Sequence, residues 1–355
     1  MKIAQISPLY EAVPPSLYGG TERVVAHLTD ALTQLGHEVT LFAAAGARTR
    51  AVLVACRDQP LRLDPNPLKS DLAAHLNMLH MLRERQDEFD ILHFHTDLIH
   101  FPLFESVAAR TVTTLHGRLD LKDLGETYRR WRQFALVSIS QHQRHPLPFA
   151  NWLATVPHGL DIAAPTRIEA PADGGYLAFL GRISPEKRPD RAIAIARKAG
   201  LPLKIAAKVD AADRHYYETE IRPLLRQPGI EFIGEIGDAD KTAFLAGARA
   251  LLFPIDWPEP FGLVMIEAMA RGTPVIAWRC GSVPEVIDHG ITGWVVDSED
   301  DAVRAIEQAA SADRVRIRDV FERRFSARSM AQRYESLYRR LLAPTEQTEP
   351  LLQVG

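Results

Sequence analysis

Residues 250–270 read ALLFPIDWPEPFGLVMIEAMA, which is a strand, a loop and a helix in that order. The apolar run 250–254 has the length of a buried strand, and prolines and a glycine then interrupt the pattern. From Leu263 to residue 270 the pattern is helical, and Glu267 is its only charged residue. In a parallel sheet, a loop of this kind lies at the carboxyl edge, where α/β proteins bind ligands.

Strand-like and helical patterns alternate in the same way along two successive parts of the chain. Most strand runs are apolar at consecutive positions, as is typical of parallel strands buried on both faces. The predicted strands are 2–7, 38–43, 90–95, 111–115, 136–140 and 152–156, then 176–180, 203–207, 231–233, 250–254, 274–277 and 293–296. The predicted helices are 21–35, 70–85, 190–199, 215–225, 240–246, 263–270, 300–312 and 327–342. Two such series predict an α/β protein with two doubly wound sheets facing across a crevice.

A stretch rich in proline and alanine, residues 163–175, separates the two series and predicts a linker. We therefore expect an N-terminal Rossmann-like domain over residues 1–165 and a C-terminal one over 166–343. The last helix is amphipathic, and we expect it to pack on the nearest domain, with the N-terminal domain as one candidate. The polar tail 344–355 is predicted to be disordered.

Composition narrows the class of protein. At 355 residues the chain fits two domains, and its net charge of -3 does not favour a nucleic-acid binder. The two cysteines, Cys56 and Cys280, are too few for a disulfide scaffold and are predicted to be buried free thiols. The N-terminus lacks the pattern of a signal peptide, and no stretch has about 20 apolar residues. We expect a cytoplasmic protein, with peripheral membrane contact left open.

The motif at residues 258–270 combines groups suited to a nucleotide sugar. The amides at the start of the helix and the helix dipole favour a phosphate. Glu267, one turn further, could accept hydrogen bonds from two ribose hydroxyls, and Glu259 on the loop could reach a sugar hydroxyl. An unpaired buried carboxylate is costly, so Glu267 needs a partner that the neighbouring sequence does not supply.

These residues resemble the signature of the family-four retaining glycosyltransferases. In that family two glutamates lie this far apart, with Phe-Gly after the first and Ala-Met-Ala after the second. Further segments resemble the same family, in order and at predicted strand ends. They are Tyr18-Gly19-Gly20-Thr21-Glu22, Leu115-His116-Gly117, Leu180-Gly181-Arg182 with Glu186-Lys187-Arg188, residues 272–277, and residues 281–285.

The resemblance implies the GT-B fold and transfer of a hexose with retention, by front-face substitution. It implies that His116 and Glu259 hold the sugar while Arg182 and Lys187 stabilise the leaving diphosphate in place of a metal. The role given to Lys187 rests on the family spacing, since Lys204, Lys208 and Arg188 are alternatives. The residues expected to bind the donor are Gly19, Gly20, Arg182, Lys187, Phe261, Gly262, Leu263 and Glu267.

Neither of two metal-like patterns predicts a metal site. Asp238-Ala239-Asp240 begins a predicted helix, where aspartates are favoured as caps. His93 and His95 share one face of a strand, but the sequence shows no clear third ligand. We expect no metal and no cofactor beyond the nucleotide-sugar substrate.

Two departures from the family pattern concern the cleft. His158 stands where the family often has asparagine, and residues 206–210 replace a glycine-rich turn with Ala-Ala-Lys-Val-Asp. Lys208 in that turn could add a positive charge near the nucleotide. The segment 137–144 resembles a Ser-x3-Arg stretch, which we assign to the acceptor side.

The donor and the acceptor stay open at this point. A UDP-sugar is the first expectation and GDP-mannose the second, and the acceptor could be a glycan, a lipid-linked molecule or a small molecule. Two other classes are alternatives: a GT-B phosphorylase or nucleotide-sugar isomerase, and a non-catalytic nucleotide-binding protein. A dehydrogenase is disfavoured because no Gly-x-Gly-x-x-Gly follows the first strand.

Overall fold

The computed structural model describes residues 1–16, 19–66, 68–164, 168–169, 171 and 174–343. Tyr18 of the glycine-rich motif, part of the predicted linker and the predicted disordered tail 344–355 lie outside the described residues. The division into domains after residue 165 falls among them too, so it stays a prediction.

The first sheet has seven parallel strands in the order β3-β2-β1-β4-β5-β6-β7. Its strands are β1 Lys2–Ile6, β2 Glu38–Ala44, β3 Val52–Arg57, β4 Ile91–Phe94, β5 Thr111–Thr114, β6 Ala135–Ser138 and β7 Trp152–Thr155. The sequence does not predict β3. That strand lies at the edge of the sheet and none of its residues is fully buried, so it lacks the continuous apolar run of the others.

The second sheet has six parallel strands in the order β10-β9-β8-β11-β12-β13. Its strands are β8 Tyr176–Arg182, β9 Leu203–Lys208, β10 Ile230–Gly234, β11 Ala248–Phe253, β12 Val275–Trp278 and β13 Gly293–Val296. Two parallel sheets with helices on their faces confirm the predicted α/β class and the pair of doubly wound sheets.

The helices follow the predicted alternation with local changes. They are α1 Gly20–Gln34, α2 Leu72–Glu84, α3 Leu124–Arg130, α4 Pro189–Ala199, α5 Arg214–Tyr216, α6 Arg222–Leu224, α7 Asp238–Ala246, α8 Leu263–Met269, α9 Val283–Val286, α10 Glu299–Ala309, α11 Arg314–Phe325 and α12 Ala327–Leu342. The helix predicted over 215–225 is instead α5 and α6 joined by a π turn, Tyr217–Ile221. Pro223 has no N–H to give to the preceding turn, which accounts for the break.

The last helix, α12, follows the second sheet in the chain but packs against the first. Its N-terminus is capped by Ser326, whose Oγ accepts the amide of Ser329 at 3.2 Å. Met330, Tyr334 and Tyr338 are buried in a cluster with apolar residues of β1, α1 and β4. Among the described residues, no helix is long and apolar enough to cross a membrane.

Candidate active site

The main cleft, of about 480 Å³, lies where the carboxyl ends of the two sheets face each other. The loop after β1 contributes to its wall, as do the segments that follow β4, β5, β8 and β11. All ten residues that the sequence singled out line it: Gly19, Gly20, His116, Arg182, Lys187, Glu259, Phe261, Gly262, Leu263 and Glu267. The structure therefore brings the predicted site residues of both halves into one cavity.

Lys187 and Glu259 form an ion pair inside this cleft. Their side chains are only 16% and 12% exposed, so water screens the pair weakly. Trp257 donates its indole N–H to the same Glu259 Oε2 at 2.8 Å, and the Lys187 ammonium lies 5.0 Å from the indole ring centroid. The pairing holds both charges in defined positions.

A glycine turn fixes the backbone of Glu259 from behind. Gly281 adopts a φ of +57°, and a Cβ there would overlap the backbone N and O of Glu259. The next residue, Ser282, donates its amide to Glu259 O at 3.0 Å. Only glycine fits this approach, so the segment 281–285 and the glutamate loop pack directly against each other.

Arg182 ends β8 and points its guanidinium among three carboxylates. Its Nη2 donates to Glu186 at 3.0 Å, and its Nη1 lies 3.4 Å from Asp210 Oδ2 and 3.9 Å from Asp213 Oδ2. Lys208 also pairs with Asp210, at 3.0 Å. The departure over residues 206–210 thus places one more cation, Lys208, on the cleft wall, together with the carboxylate of Asp210 that contacts it.

Gly262 makes the turn from the loop into α8. Its φ is +79°, and a Cβ would lie 2.8 Å from Met265 Cε and 3.1 Å from Phe253 Cζ. The left-handed turn therefore requires glycine, and it brings the start of α8 to the cleft. Across the cleft, a Cβ on Gly20 would lie 3.5 Å from Leu263, so the two halves approach each other at this point.

Glu267 has the partner that the neighbouring sequence did not show. Its Oε1 lies 3.3 Å from Lys241 Nζ, and its side chain is 12% exposed. Lys241, on α7, also lies 3.3 Å from Asp238, which in turn pairs with Arg23 of α1. A row of alternating charges therefore joins the two halves of the protein beside Glu267.

His116 follows β5 and lies among other imidazoles. Its Nε2 is 2.9 Å from His95 Nδ1, and its ring stacks on His158 at a centroid distance of 5.1 Å. His158 meets Phe261 edge-on at 4.9 Å. Burial lowers the pKa of His116 to about 3 and holds the pKa values of His95 and His158 well below the usual range, so these rings are neutral.

Each half of the chain matches a family profile. Residues 18–147 match Glycosyltransferase Family 4, and residues 164–323 match Glycosyl transferases group 1. The chain belongs to the family 4 glycosyltransferases. The resemblance seen in the glutamate motif is thereby confirmed.

Similar proteins support the family and the fold. A phosphatidyl-myo-inositol mannosyltransferase of Mycolicibacterium smegmatis is 25% identical over 346 residues, covering 84% of this chain and 82% of the relative. AviGT4, a glycosyltransferase involved in avilamycin A biosynthesis, is 25% identical with a TM-score of 0.72, over 97% of this chain and 98% of that one. Anabaena HepE, solved in complex with UDP-glucose, is 18% identical with a TM-score of 0.68, over 95% and 99%. The GT-B fold and the glycosyltransferase class follow.

The two metal-like patterns have other partners in this glycosyltransferase. Asp238 begins α7 and pairs with Arg23 and Lys241. His93 hydrogen-bonds to Thr114, and His95 hydrogen-bonds to Gln5. In the part of the chain that the structure describes, no three histidines, cysteines or acidic residues are grouped so that they could hold a metal ion. Independence from metals stays a prediction.

Sequence reasoning missed other contacts of the family motifs. Arg144, in the segment assigned to the acceptor side, donates to Ser138 Oγ at 2.8 Å and does not line the main cleft. The amides of Gln141 and His142 donate to the carboxylate of Glu285, at 2.6 and 2.8 Å. This segment therefore joins the two halves of the protein.

The two cysteines differ from the expectation in their exposure. Both Cys56 and Cys280 are free thiols, as predicted, but each is partly exposed and neither is fully buried. Burial of part of the side chain still raises the pKa of Cys56 to about 12, so its thiol stays protonated at neutral pH.

Proposed function

We propose that this glycosyltransferase moves a hexose from a UDP-sugar to an acceptor hydroxyl, with retention and without a bound metal ion. The observation that carries the proposal is the meeting of Arg182, the Lys187–Glu259 pair and Glu267 in one cleft. GDP-mannose is the second donor. HepE is solved with UDP-glucose and the mycobacterial relative is named a mannosyltransferase, which is why both donors are kept.

The diphosphate is assigned to Arg182 and Lys187. A departing nucleoside diphosphate gains negative charge, and fixed cations in a sheltered cleft stabilise it. The guanidinium can contact two phosphate oxygens at once, and its present carboxylate partners at 3.0 and 3.4 Å show that it lies where anions reach it. The amides at the start of α8, on the same wall, add donors to this site.

The ribose is assigned to Glu267. An ionised carboxylate only accepts hydrogen bonds, and its two oxygens suit the two adjacent hydroxyls of a ribose. Lys241 lies 3.3 Å from this carboxylate as its counter-ion, and burial makes each hydrogen bond to the carboxylate stronger than in water. Lys241 also contacts Asp238. It therefore keeps a carboxylate partner when a ribose binds to Glu267 and displaces the Lys241 ammonium from that carboxylate.

The transferred sugar is assigned to Glu259 and His116. Double displacement would need a carboxylate on the face opposite the leaving group, whereas Glu259, the carboxylate assigned to the sugar, is held in an ion pair with Lys187. Front-face substitution needs only the leaving phosphate to take the proton of the acceptor hydroxyl. Glu259 and His116 then orient the sugar, and approach of the two halves excludes water.

Calorimetry with UDP, GDP, ADP and TDP tests the donor site. We expect UDP to bind, and Glu267→Gln to weaken its binding by tenfold to about 100-fold, because a hydrogen bond to a charged group is worth roughly 1.5–3 kcal/mol. Glu335→Gln on α12 is the control, since Glu335 lies outside the cleft and contacts Arg339 and His37. Unchanged affinity of the Glu267 variant for all four nucleotides would refute the ribose assignment.

Two activity measurements complete the test. Turnover of UDP-glucose with a chelator in excess supports metal independence, and turnover that stops and returns with Mn²⁺ contradicts it. Transfer or hydrolysis without inorganic phosphate separates a transferase from a phosphorylase.

A further inference from the structure

A chain of hydrogen bonds leads from His116 in the cleft into the buried part of the first sheet. His116 Nε2 lies 2.9 Å from His95 Nδ1, and His95 Nε2 lies 2.8 Å from Gln5 Oε1. Gln5 is on β1 and is fully buried, and His95 is 3% exposed. Water therefore does not compete for the contact between His95 and Gln5, which must be made by the protein itself.

The position of each hydrogen follows from the orientation of the Gln5 amide, with Oε1 toward His95 and Nε2 toward Tyr338. Its Oε1 can only accept, so His95 Nε2 carries a hydrogen and donates it. A neutral His95 then has no hydrogen on Nδ1, which must accept from His116 Nε2–H. His116, neutral as well, is left with an unprotonated Nδ1.

The other end of the chain of hydrogen bonds is anchored on α12. Gln5 Nε2 donates to the Tyr338 hydroxyl at 3.3 Å and also lies 3.3 Å from His93 Nδ1, and the Tyr338 hydroxyl lies 2.7 Å from the same nitrogen. His93 Nε2 is 2.7 Å from Thr114 Oγ1, which is 2.7 Å from the Tyr334 hydroxyl. One hydrogen fills each contact in turn when all of them point from Gln5 toward Tyr334. Tyr338 and His93 thus take the two amide hydrogens, and together they hold the amide oxygen toward His95.

We propose that Gln5, His95 and Tyr338 are positioning residues that hold His116 as its neutral Nε2–H tautomer, so that Nδ1 is presented as a hydrogen-bond acceptor. Nδ1 is buried and has no partner among the described residues. An acceptor of this kind is complemented by a hydroxyl that donates, and not by a phosphate or carbonyl oxygen. The inference rests on the proposed function only for the assignment of that hydroxyl to the sugar.

Two features of the surroundings agree with this tautomer. Burial lowers the pKa of His116 to about 3 and that of His95 and His93 well below the usual range, so none of the three carries a second hydrogen near neutral pH. In addition, α12 follows the second sheet in the chain, and its tyrosines reach the first. The packing of α12 against the first sheet is therefore linked to which nitrogen of His116 carries the hydrogen.

The tautomer can be observed directly by two-bond ¹H–¹⁵N NMR of the full chain labelled with ¹⁵N in histidine. His116 is assigned from the signal that disappears in His116→Gln. We expect the hydrogen on Nε2 in the wild type, and a mixture of tautomers in Gln5→Leu and Tyr338→Phe. Thr113→Val is the matched control, because it removes a buried bond of 3.1 Å to His100 that does not belong to the chain of hydrogen bonds.

A hydrogen on Nδ1 of wild-type His116 overturns the proposal, as does an unchanged tautomer in both variants. If Gln5→Leu does not fold, Tyr338→Phe decides alone, since it removes one oxygen atom. With UDP-glucose as donor, we expect Tyr338→Phe to lower kcat about fivefold with little change in KM, and Thr113→Val to change neither. If UDP-glucose is not turned over by the wild type, the donor assignment fails while the NMR result still decides the tautomer.

Discussion

Acidification from pH 8 to pH 5 should destabilise the first domain through the burial of His116. An unfolded histidine takes a proton near pH 6.5, whereas burial lowers the pKa of folded His116 to about 3. Below pH 6.5 the unfolded chain binds a proton that the folded chain does not. This contribution to stability is therefore complete above pH 6.5 and is lost progressively as the pH falls toward 3.

The size of the loss at pH 5 follows from the distance to the unfolded pKa. At pH 5 the pH is about 1.5 units below the pKa of the unfolded ring, while the folded ring is still neutral. This difference lowers the free energy of unfolding by about 2 kcal/mol. Hydrogen exchange of β4 and β5, corrected for intrinsic rates and read by mass spectrometry, measures the free energy of unfolding in this domain. His116→Gln keeps an N–H for His95 but cannot titrate in this range.

We expect the wild type to lose about 2 kcal/mol more than His116→Gln between the two pH values. Comparing the two proteins removes the contribution of carboxylates and of the other histidines, which both share. If the variant loses as much stability as the wild type, His116 is already protonated at pH 5 or is not desolvated, and the reasoning from its burial is refuted.

Two further predictions concern the second domain, and both are measured as free energies of urea unfolding. Gly293→Ala should cost at least about 3 kcal/mol, because the new Cβ would overlap the carbonyl oxygen of Val275 and lie 2.8 Å from the carbonyl carbon of Val275. Gly181→Ala is the control and should be close to wild type in stability, because the space around its new methyl is open. Ser298→Ala should cost about 1 kcal/mol, since Ser298 Oγ caps α10 by accepting the Asp301 amide at 3.1 Å, and no loss would mean that water replaces the cap.

Some elements cannot be predicted from apolar periodicity because several of their buried side chains are polar or charged. The sequence does not predict α11, which contains five arginines in twelve residues. Two of them, Arg314 and Arg318, are buried and donate to backbone carbonyls of Ala248 and Ile162. Their apolar stems pack while their guanidinium groups find acceptors, so an arginine lies where a periodicity search expects leucine.

The sequence by itself determined the alternation of strands and helices, the two sheets and the loops that carry the site. Apolar periodicity and turn residues such as Gly262 act over a few neighbouring positions, and the carboxyl ends of parallel strands share one edge. For this reason all ten predicted residues could be placed in one cleft from their positions alone.

Only the tertiary structure decided what those residues touch. Glu267 contacts Lys241, which is 26 residues away in the chain. The separation in sequence is 90 residues for the contact of His95 with Gln5 and 333 residues for that of Gln5 with Tyr338. Partners so distant in the chain leave no local pattern, because any donor at the right point in space satisfies a buried carboxylate or amide equally well. The sequence thus placed the groups of the site, and packing set their charges, tautomers and orientations.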